Sequence, residues 1–360
     1  MFDKQKFYDL QPLLDTQCKW LILYGMRSNG KSFSVKRHVI LDAYNNGRGF
    51  VYLRRWAEDI KEKEVASYFD DMPVAQLTNG DFIGITAHRG FFYFYSIGPD
   101  DLPVRDNKPI GRYCALTLHE RYKSQVFQDI DSIIYEEFLT SRIYLGSNEM
   151  PEPNILQNFV STVFRLREGR VFLIGNTVSR VCPYVDCWNL NRFLKQKPGT
   201  IDIYHLHGEN GVVDIAVENC EVVETKTKMF FGLASKQIIK GEWDVEDLPR
   251  LKKPYEYYDM LYELVFKAGG FRFIMQLLFD GETGGSFVYV YPGTTDRKID
   301  RVVTPDFSTD PMVSNGLSAK IRAEVIISQR IREGKICYSD NLTGTDFRQC
   351  MQKYDFRKVI

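Results

Sequence analysis

Gly25-Met26-Arg27-Ser28-Asn29-Gly30-Lys31-Ser32 is an unbroken G-x-x-x-x-G-K-S run, the spacing that cradles nucleotide phosphates. The chemistry follows from the residue types. Glycines let the backbone curl so that successive N–H groups point at anionic oxygens. Lys31 reaches the β- and γ-phosphates, and the Ser32 hydroxyl is a ligand for Mg²⁺. A second run, Ile133-Ile134-Tyr135-Glu136-Glu137, is apolar and ends in two carboxylates. Beside a phosphate loop, Glu136 is placed to hold Mg²⁺, directly or through water. Glu137 is placed to polarise the attacking water. The paired acid points to ATP hydrolysis of the kind that drives mechanical work. It speaks against a simple nucleotide kinase. It also speaks against a small GTPase, which would need a guanine-reading N-K-x-D that the sequence lacks.

Other runs leave their chemistry open. Phe172-Leu173-Ile174-Gly175-Asn176-Thr177 closes a third apolar stretch on an amide, where Asn176 either senses the γ-phosphate or forms a turn. Ser161 to Arg167 ends an amphipathic stretch in arginines. From the residues alone Arg165 is a solvated surface side chain, although an arginine at such an edge can reach a neighbouring subunit's ATP. Arg54-Arg55 is either phosphate-facing or structural. Phe91-Phe92-Tyr93-Phe94-Tyr95 reads as a core strand rather than a base-stacking platform. His205-Leu206-His207 offers two imidazoles but no third ligand, so no metal is expected there.

These residues need elements to hold them. Trp20 to Tyr24 reads as a buried strand entering the loop, and Phe33 to Tyr44 as a helix leaving it, stopped at Asn46-Gly47. Further strands are expected at Phe50 to Leu53, Phe91 to Tyr95, Ser132 to Tyr135 and Val171 to Gly175. Pro153 to Phe164 has apolar pairs every four residues, which marks a helix with one buried face. The alternation of strands and helices implies an α/β architecture with a largely parallel sheet. It fades after His207, so a first domain is expected over 1–207. Residues 208–251 read as a linker or small subdomain, and 252–360 as a second, smaller α/β domain. In the latter, Phe271 to Phe279 and Gly285 to Tyr291 are expected as strands joined by a turn at 280–284. Helices are expected over Ser318 to Glu333 and Asp346 to Tyr354.

Composition bounds the partners. The 360 residues carry 47 Lys+Arg against 47 Asp+Glu, so any grip on a polyanion must come from local patches or several subunits together. The seven cysteines are scattered, Cys182 and Cys187 lying closest, and are read as reduced thiols in an intracellular protein. Met1 to Lys6 is charged with no apolar run behind it, unlike a signal peptide. No stretch is long and apolar enough to span a membrane as a helix.

Several landmarks in order resemble the DNA-packaging ATPases of φ29-like bacteriophages, small terminase-type motors. They are Gly25 to Ser32, then Phe50-Val51-Tyr52-Leu53-Arg54-Arg55, then Ile133 to Phe138. Thr162-Val163-Phe164-Arg165 with Arg167-Glu168 follows, then Asn176-Thr177-Val178-Ser179 with Pro183-Tyr184 and Asn189-Leu190. The resemblance covers roughly residues 6 to 200 and is thin beyond. It implies an ASCE-type P-loop NTPase domain that uses ATP and Mg²⁺. It implies a homo-oligomeric ring, commonly a pentamer, that drives double-stranded DNA through a portal, or connector, into a prohead. Such a motor works in the host cytoplasm at the portal vertex. The resemblance implies that Arg165 acts in trans as an arginine finger, that Lys123 is a second basic residue acting between subunits, and that Gln11 contacts adenine. It implies a C-terminal domain like an RNase H-type nuclease that has lost activity. The family's acid pair usually reads Asp-Glu, whereas here it is Glu136-Glu137. The strand Phe271 to Leu278 carries no mid-strand Asp for a nuclease metal, and Asp280, Asp300 and Asp306 fall in or near turns, so no cleavage is expected. Ring size, portal partner and the use of a structural RNA are not set by the sequence. The rival readings are another nucleic-acid motor such as a helicase, an ATPase with an active C-terminal nuclease, and a nucleotide-binding scaffold without turnover.

Overall fold

A computed structural model describes residues 8–147, 149–221, 229, 235, 242–243, 245–294, 299–305 and 308–353. The chain divides into two compact units. The first is Met1–Thr140, Leu145–Val178 and Cys187–Glu242. The second is Ser141–Tyr144, Ser179–Asp186 and Trp243–Ile360.

The first unit is built on one nine-stranded sheet. Its strands are β1 (Trp20–Gly25), β2 (Gly49–Arg54), β3 (Gly84–His88), β4 (Phe91–Ile97), β5 (Pro103–Ala115), β6 (Ile130–Glu136), β7 (Arg170–Asn176), β8 (Thr200–Gly208) and β9 (Gly211–Asn219). Their order is β3-β4-β5-β2-β6-β7-β1-β9-β8. The six central strands, β5 to β9 in that order, are parallel, and β3, β4 and β8 are antiparallel additions at the edges. One strand, β7, stands between the loop strand β1 and the acid strand β6, which is the ASCE arrangement. The central strands read as continuous apolar runs because both faces are covered. The helix Lys31–Asn46 lays Val35, Val39, Ile40 and Ala43 against Leu21, Leu23, Phe50, Ile134 and Phe172. It ends at Gly47, whose left-handed φ of 67° lets its N–H bond Ala43 O, a conformation that costs glycine least.

The break expected after residue 207 falls inside the β8–β9 hairpin. β9 then pairs in parallel with β1, Trp20 opposite Ile215, so the sheet runs on to Asn219. Gly208 and Gly211, read as the start of a linker, are the ends of a tight hairpin. Most of residues 222–241 lies outside the described residues, as do Met1 to Lys6. Phe91 to Tyr95 is a core strand on one side only: Phe92 and Phe94 are buried, while Phe91, Tyr93 and Tyr95 are half-buried.

The second unit holds a six-stranded sheet, β14-β13-β10-β11-β12-β15. β10 (Asp259–Ala268), β11 (Phe271–Asp280) and β12 (Gly285–Pro292) form an antiparallel meander. β13 (Val302–Val303), β14 (Val313–Ser314) and β15 (Ile336–Tyr338) add in parallel. The helices Arg322–Arg332 and Asn341–Lys353 contribute Ile327, Phe347, Cys350 and Met351 to a core with Leu264, Phe266, Met275, Leu277, Val288 and Val290. The second helix starts five residues earlier than expected, and its expected last residue, Tyr354, lies outside the described residues. β10 was not expected: its apolar face alternates with Glu263 and Lys267. The strand carrying Phe271 to Leu278 is therefore second in the meander, and the mid-strand acid of the first is Glu263. Gln276 Nε2 donates to Glu263 Oε2 at 3.1 Å, and Tyr255 donates to Gln276 Oε1 at 2.9 Å. Asp306 lies outside the described residues.

Candidate nucleotide site

The loop after β1 has the geometry its residues predict. Gly25 sits at φ 146°, and a Cβ there would lie 3.2 Å from Cys220 O on β9's far end, so glycine is needed for both conformation and close approach. Gly30, at φ 93°, is the N-cap of the helix Lys31–Asn46, which turns its positive end to the loop. Arg27, Ser28, Asn29, Gly30, Lys31 and Ser32 line a cavity of about 420 Å³, with Glu136, Glu137, Asn176 and Asp71. Gly25 and Met26, also expected at the nucleotide, are not part of this lining. Lys31 is buried, and its Nζ donates to Met26 O at 2.6 Å, Asn29 Oδ1 at 3.1 Å and Asn176 Oδ1 at 3.4 Å. Burial holds its pKa below the ordinary lysine value, so the charge is costly there until an anion compensates it.

The two acids are treated differently. Glu136 is buried and hydrogen-bonded to Ser32 and to Tyr68 OH, the latter at 2.9 Å. Burial raises its pKa, against the pull of these donors. Two hard oxygen ligands in contact at the cavity wall suit Mg²⁺. Glu137 stands at a left-handed φ of 58° just past β6. Its side chain is largely exposed and accepts Arg54 Nη2 at 2.7 Å. Asn176, at the end of β7, reaches both the cavity and Lys31.

The arginine doublet left open by the sequence divides its labour. Arg54 bonds the Glu137 carboxylate, and Arg55 is buried with its guanidinium on Glu152. Sequence reasoning missed Glu152, Asp71 and Tyr68. Nothing local signals them, because each meets its partner across the fold and not along the chain.

Three expected site residues stand elsewhere. Gln11 is exposed in the short helix Gln11–Asp15, donates to Asp15 Oδ1 at 2.7 Å, and does not line the cavity. The residue of that segment that touches the loop is Tyr8, whose N–H donates to Asn29 O at 3.1 Å. Lys123 pairs with Glu120 at 2.7 Å, away from the cavity lining. Arg165 caps the helix Glu152–Phe164 at φ 53° and lines a different cavity with Val126, Phe127, Gln128, Asp129, Val163 and Arg167. It precedes β7, whose far end, Asn176, pairs with Gly25. Seven strand residues separate the two ends, ~20 Å at ~3.3 Å per residue. Arg165 is therefore out of reach of the loop in its own subunit. His205 bonds Asp214 at 2.7 Å on the exposed β8–β9 hairpin.

The sequence profile of the Podovirus DNA encapsidation protein (Gp16) family matches residues 2–241. The DNA packaging protein of Bacillus phage phi29 is 30% identical over 190 residues, 52% of this chain and 52% of that protein. The DNA packaging protein of Bacillus phage B103 is 31% identical over 162 residues, 44% of each. The chain thus aligns with about half the length of these relatives. Among solved structures, a chain of the bacteriophage Phi-29 viral genome packaging motor assembly superposes with a TM-score of 0.54 at 21% identity. It covers 99% of this chain and 100% of that one, a likeness of fold.

Proposed function

The chain belongs to the Podovirus DNA encapsidation protein (Gp16) family, and from that premise we propose that it is the ATPase of a ring-shaped motor that moves double-stranded viral DNA through a portal into a prohead. The observation that carries this reading is the single cavity onto which Lys31, Ser32, Glu136, Glu137 and Asn176 converge from three parallel strand ends. In this reading the loop N–H groups and Lys31 hold the phosphates, and Asn176 stands where the γ-phosphate ends. Ser32 and Glu136 would hold Mg²⁺, which would supply screening of the phosphate charge. Glu137 orients the attacking water and takes its proton.

The ~20 Å between Arg165 and its own loop supports the role in trans that the resemblance implies. A guanidinium at the opposite strand ends, bonded only weakly to Gln125 O at 3.4 Å, is free to turn toward a neighbour's site. Lys123, also outside the cavity, is proposed as a second basic residue at that boundary. A contact of Gln11 with adenine finds no support in its position. For the second unit, a meander followed by parallel strands beside β10 supports the RNase H-like reading, with the Gln276-bonded Glu263 in place of an aspartate. Net charge near zero fits a motor that gathers weak basic patches around one duplex and releases them each cycle. Assembly as a pentamer at a portal in the host cytoplasm, with or without a structural RNA, belongs to the same proposal.

The test mixes two dead variants. Glu137→Gln is expected to keep nucleotide affinity and to lower ATP turnover at least on the order of 10²-fold. Arg165→Ala is expected to lose turnover as a homomer. Mixed rings contain some boundaries with an intact base facing an intact arginine, so ATPase activity should reappear. If assembly is shown by sedimentation and no mixture exceeds either homomer, action in trans is wrong. Full turnover by Glu137→Gln would sink the base assignment.

A further inference from the structure

We infer that the buried Arg55–Glu152 pair is a positioning device for the proposed base, holding the main chain of Glu137 and so setting where its carboxylate points. The inference rests on the role proposed above for Glu137. Arg55 and Glu152 are 5% and 0% exposed, 97 residues apart in the chain. The guanidinium donates four hydrogen bonds here: Nε to Glu152 Oε2 at 2.8 Å and Nη2 to Oε1 at 3.0 Å. Nη1 donates to Glu137 O at 3.0 Å and Nη2 to Phe138 O at 2.7 Å. Glu152 is equally committed. Beyond Arg55 it accepts Tyr135 OH at 2.7 Å and Leu145 N–H at 2.8 Å.

The position of this pair matters more than its strength. A buried ion pair is a poor stabiliser compared with apolar side chains of the same size, so packing alone is a weak reason for it. Two of its three remaining donors fall on successive carbonyls, those of Glu137 and Phe138. Glu137 is the residue forced into the left-handed region at φ 58°, a conformation a non-glycine residue keeps only when its surroundings hold it. Phe138 N–H bonds Ile174 O at 3.2 Å, so the chain just past the acid is tied on one side to β7 and on the other to Arg55. Arg54 and Arg55 thus converge on Glu137 by different routes. Arg54 bonds the carboxylate, a contact that is open to exchange with substrate. Arg55 bonds the main chain, a contact that is not.

Arg55→Lys tests this, because a lysine keeps the charge but cannot span Glu152 and two carbonyls at once. Turnover of ATP, affinity for a fluorescent ADP analogue and thermal melting are measured on the full chain, alone and in the Glu137→Gln background. Arg55→Lys is expected to lower kcat on the order of 10²-fold, with KM and analogue affinity unchanged within about threefold. In single turnover, Arg55→Lys/Glu137→Gln should be no slower than Glu137→Gln alone, because Arg55 acts through that residue. A folded Arg55→Lys protein with near-normal kcat overturns the inference, and so do losses that multiply. Should Arg55→Lys fail to fold, Glu152→Gln takes its place: it retains the shape while weakening the hold on Arg55. It is expected to lose roughly tenfold in kcat with affinity intact, and normal turnover there overturns the inference. Turnover retained by Glu137→Gln removes the base itself, an outcome distinct from a slow Glu137→Gln beside a normal Arg55→Lys.

Discussion

Lys31, Glu136 and Glu137 stand at the C-terminal ends of parallel strands and line a cavity, whereas Arg301, Glu324 and Tyr262 in the second unit close on one another. Arg301 Nε and Nη2 donate to Glu324 at 2.6 and 2.8 Å, Tyr262 OH at 2.9 Å and Ser318 N–H at 2.6 Å. Although burial alone would raise the pKa of Glu324, Arg301 and its other donors bring it below the ordinary value. Glu137 is exposed, and the other members of both sets are partly or wholly buried. The difference is where the hydrogen bonds end. Buried charge that completes its bonds within the protein maintains a fold, while buried charge facing a cavity is available to a ligand.

The largest expected effect separates the two regions outright. Lys31→Ala should abolish nucleotide binding and lower turnover on the order of 10³-fold, while Glu263→Gln should leave ATP turnover within about twofold. The wild-type chain should not nick supercoiled plasmid with Mg²⁺ or Mn²⁺. Nicking that Glu263→Gln removes would break the comparison, since the second unit would then hold a working site.

A smaller effect is expected from the closed cluster. Glu324→Ala strands the Arg301 guanidinium and should cost about 3 kcal/mol of stability, read as earlier hydrogen exchange across β10 and β13. Replacing both partners with apolar residues should cost less than that single change. A double replacement costing more would mean that the cluster does more than hold the fold.

The smallest effect concerns pH. Glu218 on β9 is buried beneath Tyr8, whose hydroxyl donates to it, and burial pushes its carboxyl up to about 7. In the unfolded chain it titrates near ~4.3. Between those values the native state binds more protons than the unfolded state, so stability falls as pH rises through the window. Glu218→Gln should flatten that fall in the first unit, a change of a few degrees in Tm. Asp346 in the second unit, also pushed up by burial to about 7, gives the same sign, so Asp346→Asn should flatten the second unit's fall independently.

The phosphate loop, β1, β2, β6 and β7 were legible because a strand buried on both faces is written as an apolar run. The acids were legible because they end such a run. β5 was not, since its first half, Pro103 to Pro109, is mostly exposed and carries Arg105, Asp106 and Lys108. β9 was hidden by a hairpin that looks like a linker, and β10 by the charged residues on its outer face. Arg55 with Glu152 was illegible for another reason: 97 residues of chain separate the partners, and only the β2–β6 pairing brings them together. Arg165 was a surface residue by composition, and its place at the far strand ends emerged only from the parallel order of the sheet.

The path of the chain itself limits how the protein can be divided. Asn176 belongs to the nucleotide cavity, yet Ser179, three residues on, belongs to the second unit, and the chain returns at Cys187. Val181 sits in the second unit's apolar core, and Arg180 donates to Asp346 at 3.0 Å. Ser141–Tyr144 makes a similar visit. A fragment cut between residues 186 and 243 therefore carries Ser141–Tyr144 and Ser179–Asp186 away from the rest of the second unit. Evolution could exchange a domain joined by one tether with little repair, but the chain crosses between these two units five times, so no single cut parts them cleanly.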